Sequence, residues 1–143
     1  MTTYLLDVNV LVALMDPAHV QHEPAHDWFA RLGRVSWATC PITENGLLRI
    51  LGNSRYPNSP GTPADVAEML THMRALPGHA FWADYFSMTD GGRLDVARVL
   101  SHGQVTDSYL LALAKSRDGQ LASFDRRLVV DAVIGGKSAL HLI

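Results

Sequence analysis

Apolar positions fall along the chain in short blocks, and the spacing within each block predicts strands alternating with helices. Tyr4-Leu5-Leu6 closes a predicted strand over 3–6. From residue 8 the apolar positions Val8, Leu11, Val12 and Met15 take helical spacing, and Asp16-Pro17 ends that helix near residue 15. A second helix is predicted over 24–32, with Pro24 in its first turn, and a second strand over Val35–Thr39. A helix over 43–52 is stopped by Gly52-Asn53. Residues 53–63 are turn-forming throughout and read as a loop, a candidate contact surface by position. Helix 64–76 carries Val66, Met69, Leu70 and Met73 on one face. Ala80–Ala83 predicts a strand, 93–100 a short helix, and 105–117 a long helix closed by Asp118-Gly119. Strands over Gln120–Phe124 and Ala139–Ile143 complete the chain. The alternation predicts the α/β class: an α/β/α sandwich with a short, mostly parallel sheet of about five strands, covered on both faces.

Composition narrows the setting. The 143 residues fit one domain, 1–143, and are 48 % hydrophobic. No apolar run reaches the ~18 residues of a membrane span, so no membrane partner is expected. The start has no basic region followed by an apolar core, so no secretion signal is expected. Cys40 is the single cysteine; it has no partner for an internal disulfide, reads as a small buried residue, and favours a cytoplasmic setting. The net charge of −2 argues against nucleic-acid binding by overall positive charge. It leaves room for an acidic metal site with local cations, and ten of the twelve basic residues are Arg, the better phosphate ligand.

Four acids stand where an open α/β sheet collects its chemistry. Asp7 and Asp125 each follow an apolar strand, Tyr4–Leu6 and Leu121–Phe124. Glu44 opens the spacing Glu44, Leu47, Leu48, Leu51, and Asp107 opens Asp107, Leu110, Leu111, Ala114. Both therefore lie on the apolar stripe of a helix, where solvating acids do not belong. The plain alternative is compensation of the helix dipole, with Thr43 and Thr106 as caps; it accounts for the helix end but not for the face. Strand C-termini and the N-termini of the following helices share one edge of a parallel sheet, so the four acids converge if their strands are neighbours. Clustered carboxylates repel, and a hard cation such as Mg²⁺ or Mn²⁺ removes the conflict. Asp16, Asp65, Asp90 and Asp118 lie in turns and are expected to be solvated.

Four motifs together carry a resemblance. Leu5-Leu6-Asp7-Val8-Asn9-Val10-Leu11 is followed by Thr43-Glu44-Asn45-Gly46-Leu47-Leu48-Arg49, then by Val105-Thr106-Asp107-Ser108-Tyr109-Leu110-Leu111-Ala112, then by Leu121-Ala122-Ser123-Phe124-Asp125-Arg126. In this order, and over nearly the whole chain, they resemble a PIN-domain ribonuclease of the VapC type, the toxin of a toxin–antitoxin module. The resemblance implies a PIN-like fold, Mg²⁺-dependent endonucleolytic cleavage of RNA, a homodimer, and neutralisation by a cognate antitoxin bound in an apolar groove near the acids. It assigns Asp7, Glu44, Asp107 and Asp125 to metal binding and water activation, Asn9 to orienting the first carboxylate, and Ser123 to the family's hydroxyl position. Where some relatives carry a further acid after the fourth, this chain has Arg126 and Arg127, which leaves open whether a second metal position exists.

Other signals compete. His22-Glu23-Pro24-Ala25-His26 matches the H-E-x-x-H zinc signature, but that mechanism needs both histidines on one helix, and Pro24 at the first helical position would leave His22 outside it. His26, Trp28 and Phe29 are then expected to pack or to make surface contacts. Asp7-Val8-Asn9 approaches the D-x-D start of haloacid-dehalogenase-like phosphohydrolases, but Asn9 cannot serve as their proton-donating acid. A non-catalytic PIN scaffold that grips a protein partner is the alternative outside catalysis. The helix face Val66, Met69, Leu70, Met73 and the aromatics Trp28 and Phe29 exceed what a small core requires and, if not core, would serve partner contacts.

Overall fold

A computed structural model describes all 143 residues. The elements are β1 (Tyr4–Leu6), α1 (Val8–Met15), α2 (His22–Arg31), β2 (Trp37–Thr39), α3 (Pro41–Leu51), α4 (Pro63–Arg74), β3 (His79–Phe81), α5 (Val105–Ser116), β4 (Gln120–Ser123) and β5 (Leu140–Leu142). The five strands form one sheet in the order β3-β2-β1-β4-β5, and every pairing is parallel. β1 is central. Leu5 pairs with Ala38 and Leu121, and Leu6 with Ala122.

Successive strand side chains alternate in face, and the core accordingly divides in two. Leu5, Ala38 and Leu121 pack with Tyr109–Ala114 of α5 on one face. Leu6, Trp37 and Ala122 pack with α1, with Ala25 and Trp28 of α2, Leu47 and Leu51 of α3, and Val66 and Leu70 of α4 on the other. The predicted α/β/α sandwich is the observed one. Trp28, Val66 and Leu70 belong to the core, with Phe29 and Met73 packed against it, so these residues do not form a free partner surface.

Several local expectations need correction. α1 has no exposed stripe: Val10 to Leu14 are all buried, because the helix is enclosed by the sheet, α2 and α3. α2 begins at His22, so Pro24 is its third residue, a position whose missing N–H costs nothing because no carbonyl precedes it in the helix. Residues 33–35 form a 3₁₀ turn, and β2 starts only at Trp37. Neither threonine is an N-cap. α3 starts at Pro41 behind Cys40, with Thr43 Oγ1 accepting from Cys40 N at 3.0 Å, and α5 starts at Val105 behind Gln104. Residues 93–100 contain one 3₁₀ turn, Val96–Arg98, in place of an α-helix.

The two helix stops differ in mechanism. Gly52 has φ −79°, and an added Cβ would lie 2.4 Å from Leu48 O and 2.8 Å from Pro63 Cα. Close approach of the chain to α4, not a left-handed turn, requires glycine there. After α5 the left-handed residue is Asp118, at φ 54°; its N–H and that of Gly119 take the carbonyls of Lys115 and Ala114, the Schellman pattern. No helix is long and apolar enough to cross a membrane.

A candidate active site at the carboxyl edge of the sheet

Asp7 stands between β1 and α1 in extended backbone geometry and caps the helix, its Oδ1 accepting from Val8 N at 2.7 Å. It is only 7 % exposed. Its other oxygen, Oδ2, accepts from the Ser123 hydroxyl at 2.7 Å. Ser123 is fully buried, and its Oγ also accepts from Asn9 Nδ2 at 3.1 Å and from Asp125 N at 3.1 Å. One donation and two acceptances exhaust the hydroxyl. Asn9 Oδ1 accepts in turn from Phe124 N at 3.2 Å. Asn9 thus acts on Asp7 at one remove, by fixing Ser123, rather than by touching the carboxylate. The network ties the β1–α1 junction to the end of β4 and sets one face of Asp7.

Asp107, in the first turn of α5, and Asp125, just beyond β4, share with Asp7 a pocket of about 420 Å³. Burial, and then the charges of Asp7 and Asp125, push the Asp107 carboxyl from 3.8 to about 6, with no hydrogen bond pulling it back. Asp7 is also raised, by burial and by Asp125, with Ser123 and Val8 N offsetting part of the effect. Val12 and Ile50 give the pocket an apolar side, and His19 and Tyr56 stand on its rim. A larger hollow of about 920 Å³ lies between 89–98 and 130–137 and shares no residue with it.

Glu44 stands outside this pocket. Its Oε2 accepts from Thr39 Oγ1 at 2.7 Å, and its Oε1 lies 3.5 Å from Arg74 Nη1 on α4. The one Thr39 hydroxyl hydrogen is donated to Glu44, so His79 Nε2, 2.8 Å from Thr39 Oγ1, is the donor of that second bond. Burial and the nearby Arg74 hold His79 below its ordinary value. The three aspartates therefore come together on one pocket, whereas Glu44, expected to converge with them, does not line it and is tied instead to Thr39 of β2 and Arg74 of α4.

The donor set fits a hard divalent cation. Three carboxylates supply oxygen only, and one of them, Asp107, is raised first by burial and then by the charges of Asp7 and Asp125, with no cation of the chain offsetting either. As the side chains stand, no group of three His, Cys, Asp or Glu is spaced to hold an ion directly. Mg²⁺ keeps several of its waters and takes one or two carboxylates, so an open arrangement suits it better than a caged ion.

The zinc signature has a different use. His22 and His26 do share α2, with rings 4.3 Å apart, contrary to the expected break at Pro24. Their nitrogens are engaged with the end of α1: His22 Nδ1 lies 2.7 Å from Ala13 O and His26 Nε2 lies 2.9 Å from Leu14 O. These are carbonyls that a helix end leaves without partners.

Asp16 is not solvated. It is 2 % exposed and takes hydrogen bonds from Ala18 N at 2.9 Å, from Tyr56 Oη, and from Asn58 Nδ2 at 3.4 Å. Burial would raise its carboxyl; these bonds and His19 outweigh it and hold the group below its usual range, while burial and Asp16 push Tyr56 up to about 12. A further acid that the sequence pattern does not single out is Asp84, three residues beyond the end of β3. Burial raises it, it lies against Cys40 and Ile42 at the start of α3, and its Oδ1 has no hydrogen-bond partner.

Residues 4–132 match the family model described as PIN domain. Ribonuclease VapC44 of Mycobacterium tuberculosis is 43 % identical over 131 residues, covering 92 % of each chain. Among solved structures, VapC20 of Mycobacterium tuberculosis, described as a sarcin-ricin loop cleaving toxin, superposes with TM-score 0.65 at 11 % identity, covering 92 % of this chain and 96 % of that one. VapBC2 from Rickettsia felis, solved with a DNA fragment from its promoter, gives TM-score 0.59 at 13 % identity, covering 88 % and 90 %. The last two likenesses concern the fold alone, but the family match and the 43 % identity place the sequence: this chain belongs to the PIN-domain family, among the VapC-type proteins.

Proposed function

We propose that the chain is a Mg²⁺-dependent endoribonuclease, with Mn²⁺ as an alternative ion, acting as the toxin of a toxin–antitoxin pair. The observation that carries this is the convergence of Asp7, Asp107 and Asp125 on one pocket, with Asp7 oriented by a fully satisfied Ser123. The ribonuclease names of relatives more than 40 % identical support RNA as substrate. Asp7, Asp107 and Asp125 hold the metal, and Glu44 is the fourth acid, reached from its place between Thr39 and Arg74. When bound, the ion supplies an activated water and offsets charge on the scissile phosphate. Asp107, which burial and the charges of Asp7 and Asp125 raise to about 6 in the metal-free chain, is the carboxylate whose charge a bound cation would relieve most. Asn9 and Ser123 keep Asp7 from rotating, and Val12 and Ile50 limit water on one side of the pocket. The partners are a cognate antitoxin and a second copy of the chain, working in the cytoplasm; membership among VapC-type proteins and the VapBC2 neighbour support the antitoxin.

Purified protein incubated with end-labelled single-stranded RNA tests the activity. Internal cuts are expected with Mg²⁺ and none with EDTA, and Asp7→Asn, Glu44→Gln, Asp107→Asn and Asp125→Asn should each reduce cleavage by orders of magnitude while the fold survives. Full activity in the Asp7 or Asp107 variant refutes the assignment. Co-expression with the product of the neighbouring gene should yield a stable, inactive complex.

A further inference from the structure

The wall of the pocket beside the carboxylates is built from two segments far apart in sequence, and one buried acid fastens them together. Asp16 closes α1 and orders the turn after it through Ala18 N, while Tyr56 Oη and Asn58 Nδ2 bring in the 53–63 loop. His19 lies within this turn, its N–H bonded to Asp16 O at 3.0 Å and its carbonyl accepting from His22 N at 3.0 Å. Its ring is also fixed. Gln21 N donates to His19 Nδ1 at 3.0 Å, so Nδ1 is the acceptor and the neutral ring carries its proton on Nε2. His19 and Tyr56 both line the pocket of Asp7, Asp107 and Asp125. The Tyr56 hydroxyl is committed to Asp16, so Tyr56 offers only its ring.

A pocket with three carboxylates repels a phosphodiester, and a metal can answer that repulsion only at the phosphate it touches. The rest of an RNA strand needs donors on the rim. His19 Nε2–H is such a donor: it is tautomerically defined, its backbone is held by main-chain bonds on both sides, and its ring makes no hydrogen bond to Asp7, Asp107 or Asp125. We propose that His19 is a substrate-positioning residue of the nuclease site, its Nε2–H donating to a phosphate oxygen of the bound RNA strand, with Asp16 and Tyr56 holding it in place. This rests on the ribonuclease function proposed above.

Steady-state cleavage of a randomised 20-nucleotide single-stranded RNA pool with Mg²⁺ tests it, on wild type, His19→Ala and His19→Gln. His19→Ala should raise KM about tenfold, the loss of one hydrogen bond to a charged group, and leave kcat within about threefold. Gln places an N–H near the position of the imidazole Nε2, so His19→Gln should bring KM back to within about threefold of wild type. Purely structural damage would not be repaired by Gln, which cannot replace the Nδ1 acceptor. An unchanged KM in His19→Ala, a loss confined to kcat, or a Gln variant as impaired as the Ala variant overturns the role of His19 while the ribonuclease function stands. A wild type that leaves the pool intact overturns both.

Discussion

Replacing Asp107 by Asn removes a charge that the metal-free folded state holds at a cost. Burial and the neighbouring Asp7 and Asp125 raise the Asp107 carboxyl from its ordinary 3.8 to about 6. Between those two values the folded chain keeps a proton that the unfolded chain releases, so stability falls as pH rises through that window, and the whole cost is present above it. At about 1.4 kcal/mol for each pKa unit, the cost is at most about 3 kcal/mol. Asp107 is partly exposed, and screening brings the expected figure to about 1–2 kcal/mol. For a chain of this size that corresponds to an increase in Tm of roughly 3–6 °C. Thermal unfolding followed by circular dichroism in EDTA at pH 7.5 should show Asp107→Asn melting above wild type, and the gap should close near pH 3.5, where both states of the wild type are largely protonated. Added Mg²⁺ should reverse the order: at about a hundred times its dissociation constant it stabilises wild type by roughly 2.7 kcal/mol, and the variant by less. A variant that melts at or below wild type in EDTA at pH 7.5, with equal Mg²⁺ shifts for both proteins, would refute the repulsion on which the metal site is argued.

Ser123→Ala leaves Asp7 Oδ2 and Asn9 Nδ2 without partners and should cost about 2–3 kcal/mol in urea unfolding, with a fall in Mg²⁺-dependent cleavage. His22→Ala combined with His26→Ala uncovers two α1 carbonyls and should cost about 2 kcal/mol, while metal analysis of wild type finds no stoichiometric zinc and Mg²⁺-dependent cleavage stays near wild type. Asp16→Ala should cost about 2–4 kcal/mol near neutral pH, measured by urea unfolding. Because the Asp16 carboxyl is held below 3.8, that contribution is full above this value and is lost as pH falls through the depressed one, so wild type and variant should converge in acid.

Much of the fold was legible because it depends on local pattern. Strand and helix periods, the Asp118-Gly119 stop and the placement of Asp7, Asp107 and Asp125 at element junctions all follow from residues close together in sequence. The misreadings concern partners that no local pattern names. Glu44 does lie on the apolar side of α3, but its carboxylate is taken by Arg74, thirty residues away on α4. Asp16 looked solvated because Tyr56, forty residues on, is invisible from the turn around it. Pro24 is the third residue of α2, not the first, because a proline is tolerated throughout the first turn, where no helical hydrogen bond is lost. Asp84 follows the predicted strand Ala80–Ala83 as Asp7 follows Tyr4–Leu6, but no helical pattern starts after it, so the local sequence does not mark it as an element junction.

The central position of β1 has a consequence for the order in which the molecule comes into being. β1 is made before the other four strands of the sheet, yet one of its edges waits for β4, and Asp7 waits for Ser123, 116 residues later. Pairings of such long range form late, after the loop between them has been closed. While a ribosome is still adding residues 10 to 120, the emerging chain has neither the hydroxyl that orients Asp7 nor the Asp107–Asp125 pair complete. A nascent or prematurely terminated polypeptide therefore carries no assembled acid pocket, and whatever chemistry the pocket performs is withheld from the machinery that is synthesising it until translation has passed Asp125.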